Sequence, residues 1–310
     1  MAVIFPGQGA QYVGMGVDLA AGSSEAREVW ERVSAVIDLD LLRLAGEGPE
    51  AELTRTANAQ PALLAASLAV VAALRRQWWE PLVGAGLSLG EYSALVASGA
   101  LDLEDAARLV RLRGRLMEEA VPSGTGAMAA IMGLEREAVA AVCRDASGSE
   151  VVEPANFNCP GQVVVSGHAG AVARAVEAAR AAGARRAVRL TVSGPFHSSL
   201  MRPAGDGLAT ALEEVPLRPG SFPVVANVSA TVPGGAVAVR EALVRQVSSP
   251  VLWEDSLRRM AAMGARVFLE LGPGNSLAGL VGRTLGDAVV MSVDDSRSLA
   301  AALAELEGAC

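Results

Sequence analysis

The sequence predicts an α/β fold with a largely parallel sheet, and three observations carry that prediction. Short β-like runs alternate with alanine-rich helical stretches along the chain. Hydrophobic residues make up 51% of the 310 positions, ample for a large buried core. No repeat or low-complexity linker interrupts the alternation, and the length fits either one large α/β domain with an inserted subdomain or two medium domains.

Val3 to Phe5 reads as the first strand and runs into Gly7-Gln-Gly-Ala-Gln-Tyr12, a tight glycine turn whose spacing alone assigns it no role. The longest apolar stretch, Pro61 to Leu74, falls short of the roughly 20 residues a membrane helix needs. It reads as a buried helix ended by Arg75 and Arg76. Leu82 to Leu87 reads as a strand and Glu91 to Ala97 as a helix. Asp102 is a plausible N-cap for a helix running to about Ala120.

From about Gly126 to Val192 the order is a strand at Ala127 to Met132, a helix at Glu135 to Asp145 and a strand at Val163 to Ser166. A helix at Ala169 to Ala182 and a strand at Ala187 to Val192 complete it. The punctuators Pro122-Ser-Gly-Thr-Gly and Ser193-Gly-Pro bound this stretch. The expected division is therefore a domain of residues 1–125 and 193–310 with a subdomain at 126–192. Val224 to Asn227, Val267 to Leu271 and Val289 to Ser292 read as further strands of the larger part, and Val232 to Ala238 as a surface turn.

Composition narrows the chemistry. The net charge is -8, and all 26 cationic Lys or Arg positions are arginine. Without lysine there is no Schiff-base chemistry and no phosphate-binding lysine loop. The acidic balance argues against general nucleic-acid binding. Cys143, Cys159 and Cys310 show no CxxC spacing and read as reduced thiols, and the two histidines, His168 and His197, lie far outside zinc-enzyme spacing, so no metal is expected. The N-terminal MAVIFPGQG has no basic segment before its apolar residues, which makes the cytoplasm the expected address.

Gly86-Leu-Ser-Leu-Gly90 follows an apolar strand and opens a helix, the context of a nucleophile elbow that exposes Ser88. The alternative is an ordinary βα turn. A serine nucleophile needs a base. His197, in Ser193-Gly-Pro-Phe-His-Ser-Ser just after a strand, is favoured over His168, which precedes a helix. No acid flanks His197, so an orienting partner has to come from elsewhere in the chain. On the helix after Asp102, at about 100° per residue, Ala106, Leu109, Val110, Leu116, Met117 and Ala120 form an apolar face with Arg113 near its centre. A cation there requires a permanent carboxylate or a ligand anion, and Gly114 beside it permits close approach of another element. Gly124-Thr-Gly-Ala-Met-Ala129 matches a dinucleotide fingerprint by letter but leads into a strand rather than a helix, so it is dismissed.

Together, Phe5-Pro-Gly-Gln-Gly-Ala-Gln11, Gly86-Leu-Ser-Leu-Gly-Glu-Tyr-Ser93, Arg113-Gly114, Gly124-Thr-Gly-Ala-Met-Ala129, Asn156-Phe-Asn158, Pro160-Gly-Gln162, Gly194-Pro-Phe-His-Ser198 and Leu271-Gly-Pro-Gly274 have a highly specific order and spacing. Over nearly the whole chain they resemble the malonyl-CoA:acyl carrier protein transacylases of fatty acid synthesis and the acyltransferase domains of polyketide synthases. The resemblance implies an α/β-hydrolase-like core with an inserted ferredoxin-like subdomain and a ping-pong transfer through malonyl-Ser88 with His197 as base. It also implies an oxyanion hole from the backbone N–H groups of Gln8 and Leu89, and a main-chain carbonyl of Gln246 orienting His197. Arg113 matches the malonate-binding arginine, and Phe196 and Asn156 join it as substrate-binding residues. Coenzyme A thioester enters as substrate and no cofactor is implied. The partners implied are malonyl-CoA and an acyl carrier protein, with a monomer and no membrane or nucleic acid. Leu87 departs from the histidine that many members carry before the serine. Arg185, Arg186 and Arg189, or Arg258 and Arg259, are candidate basic patches for the carrier.

Two other readings share parts of this pattern: a serine hydrolase such as a thioesterase, which differs only in using water as acceptor, and a non-catalytic carrier-binding module, which has little use for Ser88, His197 and Arg113 together.

Overall fold

The computed structural model describes residues 1–75, 81–122 and 124–308. Arg76, Ser123 and Cys310, named above, lie outside them. The chain forms two compact units, one of Met1–Gly114, Val215–Val225 and Arg259–Cys310, the other of Arg115–Glu214 and Ala226–Arg258.

The first unit is built on a five-stranded sheet. Its strands are β1 (Ala2–Phe5), β2 (Val83–Gly86), β7 (Val224–Val225), β8 (Val267–Leu271) and β9 (Val289–Val293), in the order β7-β2-β1-β8-β9. Every pairing is parallel. All four residues of β1 are fully buried, as expected of a central parallel strand covered on both faces. In β2, Gly84 faces the Phe222 ring, and a Cβ there would sit 2.7 Å from it.

Helix Thr56–Arg75 runs five residues further upstream than its apolar stretch suggests. With 20 residues it is long and apolar enough to cross a membrane, but 94% of its apolar window is buried inside the fold, as a core helix. Pro61 sits within it and has no N–H to offer the Ala57 carbonyl one turn back. Arg111 supplies the missing donor, its Nη1 lying 2.7 Å from that oxygen.

The second unit contains an antiparallel sheet of β3 (Gly126–Met132), β4 (Val152–Cys159), β5 (Gln162–His168) and β6 (Arg186–Arg189), ordered β4-β5-β3-β6. Ala127, Ala129 and Ile131 alternate along β3 toward a core completed by helix Arg136–Ser147 and helix Ala169–Ala181. The former buries Val139, Val142, Cys143 and Ala146, an i, i+3, i+4, i+7 stripe. Burial pushes the Cys143 thiol up to about 12, so it packs as an inert core residue.

β4 was not visible in the sequence pattern. Pro154, Asn156 and Asn158 break its alternation, and its pairing with β5 shifts register between Pro154 and Asn156 and between Phe157 and Cys159. An edge position tolerates such irregularities where a central strand would not. The expected surface turn ends earlier than read, because a helix already begins at Ala236.

Glu270 on β8 is fully buried and accepts hydrogen bonds from Leu277 N–H at 3.0 Å, Ala278 N–H at 2.9 Å and Ser292 Oγ at 3.2 Å. It thereby satisfies the first turn of helix Ser276–Leu285, whose N–H groups have no intrahelical acceptor. Glu270→Ala orphans those donors and is expected to cost about 1–3 kcal/mol. A melting temperature equal to that of the parent would contradict this assignment.

Candidate functional site

Within the first unit, Ser88 lies directly beyond β2 and before helix Gly90–Ser98, with a left-handed φ of 52°. Serine rarely adopts that conformation, and its neighbours make it possible. A Cβ on Gly86 would fall 1.9 Å from the Gly90 carbonyl carbon, one on Gly90 would fall 2.2 Å from Phe5 O, and one on Gly7 would fall 2.4 Å from Leu87 O. The turn therefore closes only with glycine at these positions. It lifts the Ser88 side chain at the carboxyl edge of the parallel sheet.

Among the described backbone hydrogen bonds, none uses the N–H of Leu89 or of Gln8 as donor. Leu87 N–H, by contrast, is held by Phe5 O at 3.0 Å. The Gln8 side chain is anchored through Nε2 to Thr56 Oγ1 at 3.1 Å, which fixes the glycine turn that carries its N–H.

Arg113 is on helix Leu103–Glu119 and only 2% exposed. Gly114 lets that helix approach helix Thr56–Arg75 closely, since a Cβ would lie 2.7 Å from Ala57 Cα. Arg113 Nη1 donates to Gln60 Oε1 at 2.9 Å, and Nη2 donates to Ser88 Oγ at 3.0 Å. Its Cζ stands 5.8 Å from the centre of the buried Tyr92 ring. Burial lowers the Arg113 pKa, opposed by Tyr92 and Glu91, and the same burial raises that of Tyr92. Gln60 was missed in the sequence. Its signal was there, a polar residue just before Pro61 at the head of an apolar run.

The second unit holds the histidine. His197 is 4% exposed and has a φ of 59°, again left-handed. Its Nδ1 is 2.8 Å from the carbonyl oxygen of Gln246, near the end of helix Ala236–Val247. The last carbonyls of a helix have no intrahelical donor, so this oxygen is available. Because a carbonyl can only accept, Nδ1 carries the proton and Nε2 presents a lone pair, as a general base requires. Gln246 is fully buried, with Nε2 directed at Asn227 Oδ1, 3.5 Å away.

His168 is set up oppositely. Its Nδ1 accepts the Val151 N–H at 2.9 Å, which commits it to holding the strand end. Phe196 is buried beside Gly194, and Asn156 is buried on β4 at the register shift, bridging Val251 through its backbone. Arg185, Arg186 and Arg189 are exposed on and beside the edge strand β6, whereas Arg258 is engaged by Glu254 at 2.9 Å.

A serine on a strained strand-to-helix turn, with N–H groups and a buried cation around it, is the arrangement of an α/β protein of the acyl-transfer class. Comparison with known proteins narrows the class. The acyl transferase domain family matches residues 3–301, and the chain belongs to that family. It is 46% identical over 303 residues to the Malonyl CoA-acyl carrier protein transacylase of Escherichia coli (strain K12), covering 97% of this chain and 98% of that one. The acyl carrier protein S-malonyltransferase of Vibrio cholerae superposes with a TM-score of 0.95 at 46% identity, covering 97% and 99%. A malonyl-transacylase solved in complex with its type II PKS acyl-carrier protein gives 0.96 at 45% identity, covering 98% and 99%.

The glycine geometry predicts a contrast. Gly86→Ala has to displace the Gly90 backbone and is expected to destabilise by about 3 kcal/mol or more. Gly279→Ala, exposed in a helix with nothing within 4 Å of its Cβ, should be neutral or stabilising by up to about 1 kcal/mol. Chemical denaturation of both variants measures the difference, and similar midpoints for the two would refute the steric account of the elbow.

Proposed function

We propose that the protein transfers a malonyl group from malonyl-CoA to the phosphopantetheine thiol of an acyl carrier protein, through a malonyl ester on Ser88. The observation that carries this reading is the Arg113 guanidinium, buried and 3.0 Å from Ser88 Oγ, with hydrogen bonds to neutral oxygens of Gln60 and Ser88. An acyl group bonded to that Oγ with a carboxylate two carbons further on meets a planar, pre-oriented cation. Family membership and the names of the relatives support the same substrate and acceptor.

In this mechanism Ser88 Oγ attacks the thioester carbon while His197 Nε2 takes its proton. The Gln8 and Leu89 N–H groups hold the developing oxyanion. Collapse expels the coenzyme A sulfur, which leaves as the thiol with the proton from His197. The carrier thiol then attacks malonyl-Ser88, passing its proton to His197. The carrier thioester forms, and that proton returns to Ser88 Oγ. The resemblance assigns Phe196 and Asn156 to substrate binding, and Gln246 holds the histidine in its reactive tautomer. No metal or other cofactor takes part.

The same reading assigns residues 126–192 to a ferredoxin-like subdomain, on the order β3, helix, β4, β5, helix, β6 with sheet order β4-β5-β3-β6. It assigns the parallel sheet to an α/β-hydrolase-like core, residues 1–125 and 193–310. The enzyme acts as a cytoplasmic monomer, away from membrane and nucleic acid, and the exposed Arg185, Arg186 and Arg189 receive the acidic carrier.

Intact-mass analysis tests the covalent step. Mixing with malonyl-CoA should add one malonyl mass that moves to holo carrier protein when it is supplied, and Ser88→Ala should acquire none. Rapid release to water without carrier would instead identify a thioesterase. His197→Ala should slow loading by about 10²-fold or more, with His168→Ala close to wild type. A larger loss at His168 would reverse the assignment of the base.

Arg113 makes the sharpest forecast. Arg113→Ala should lower the malonyl-to-acetyl ratio of kcat/KM by about 10²-fold, with acetyl transfer retained, and Arg113→Lys should recover only part of it. If the arginine served only to hold the fold, both substrates would suffer alike and the ratio would stay where it is.

A further inference from the structure

We infer that Glu153 is a positioning residue for His197. This rests on the reading of His197 as the base. The histidine sits in a left-handed conformation and is oriented by a carbonyl rather than by a carboxylate side chain. Something else has to hold its backbone, since that conformation is unfavourable for any residue but glycine.

Two residues beyond it, Ser199 begins the 3-10 turn Ser199–Met201, which continues directly into helix Arg202–Glu213. Glu153, on β4, receives both donors of Ser199. Its Oε2 accepts the backbone N–H at 2.7 Å and its Oε1 accepts the hydroxyl at 3.0 Å. A carboxylate at this end of a helical segment also meets the positive pole of its dipole.

Ser198 Oγ donates to Pro195 O at 2.7 Å, and Pro195 fills the space that a Cβ on Gly126 would need. Among the described side-chain hydrogen bonds, Glu153 is the one group from a distant part of the sequence that grips the segment immediately after His197. The edge-strand irregularity fits the task. The register shift beside Pro154 follows directly on Glu153, where β4 leaves regular pairing with β5.

Removing this grip leaves His197 its chemistry but lets the loop relax, so the ring loses its fixed aim. Glu153→Ala should lower kcat for malonyl loading by about 10- to 100-fold, with KM for malonyl-CoA within about 3-fold of wild type. Glu153→Gln can still accept the N–H and can donate to the hydroxyl, so it should stay within about 3-fold of wild-type kcat. The structural readout is imidazole nitrogen NMR. The two histidines hold opposite tautomers, with the proton on Nδ1 in His197 and on Nε2 in His168, so their signals are separable without further variants.

Glu153→Ala should erase the protected Nδ1–H signal of His197 and mix its tautomers, leaving His168 unchanged. Glu153→Gln should retain the signal. If Glu153→Ala is too unstable to purify, Ser199→Ala, which removes one of the two bonds, should lower kcat by about 2- to 5-fold and weaken the same signal. An unchanged His197 spectrum in Glu153→Ala, or in Ser199→Ala where that stands in for it, overturns the inference whatever the activity. So does wild-type kcat. Failure of the base reading is seen separately, as wild-type loading by His197→Ala.

Discussion

Burying one guanidinium organises the first unit. Arg113 is 2% exposed, and taking a cation out of water is costly unless fixed dipoles or an anion replace its hydration. The surrounding sequence is arranged to do this. Gly114 removes the side chain that would hold helix Leu103–Glu119 away from helix Thr56–Arg75. The same close approach lets Arg111 satisfy the carbonyl that Pro61 cannot, and brings Gln60 Oε1 within 2.9 Å of Arg113. Neutral partners of this kind stabilise the charge without cancelling it. An acid at position 60 would pair with the guanidinium and weaken its attraction for any other anion.

Strain marks the two side chains proposed to react. Ser88 at a φ of 52° and His197 at 59° are two of four non-glycine residues with positive φ among those described. They are held by different means. Around Ser88 the backbone is locked sterically, by glycines that leave no room for any other path. Around His197 it is held by polar contacts, with Gln246 on the ring and Glu153 on Ser199, two residues further on. A steric lock tolerates almost no substitution, whereas a polar one can be exchanged for another donor and acceptor of similar reach.

Much of this was legible in the sequence, for identifiable reasons. The elbow is visible because its glycines are fixed in position relative to one serine. Arg113 is visible because a charge on an apolar helical face breaks a strong periodicity. The parallel sheet follows from buried runs such as Ala2–Phe5 that need no alternation. What stayed hidden depends on contacts distant in sequence. Gln60 and Arg113 are 53 positions apart, and Ser199 and Glu153 are 46 apart. β4 was hidden for a local reason, since Pro154 and the two asparagines give it the composition of a loop. Its strand character comes from pairing with β5 and, at Asn156, from a bridge to Val251.

The absence of an acid beside His197 then has a physical explanation. The carbonyl that takes its Nδ1–H belongs to the last turn of the 12-residue helix Ala236–Val247. That end of a helix carries the negative pole of the macrodipole, roughly half an elementary charge. It therefore does two things a carboxylate would do, fixing the tautomer and favouring the imidazolium as it forms. It does them without placing a full negative charge next to the imidazole. Under the proposed roles this matters, because a full negative charge on the histidine's partner would oppose an anionic acyl group. A helix end supplies a weaker and strictly local field, which falls off within one turn. Under the proposed roles, Arg113 supplies a full positive charge while the partner of His197 supplies only a local dipole.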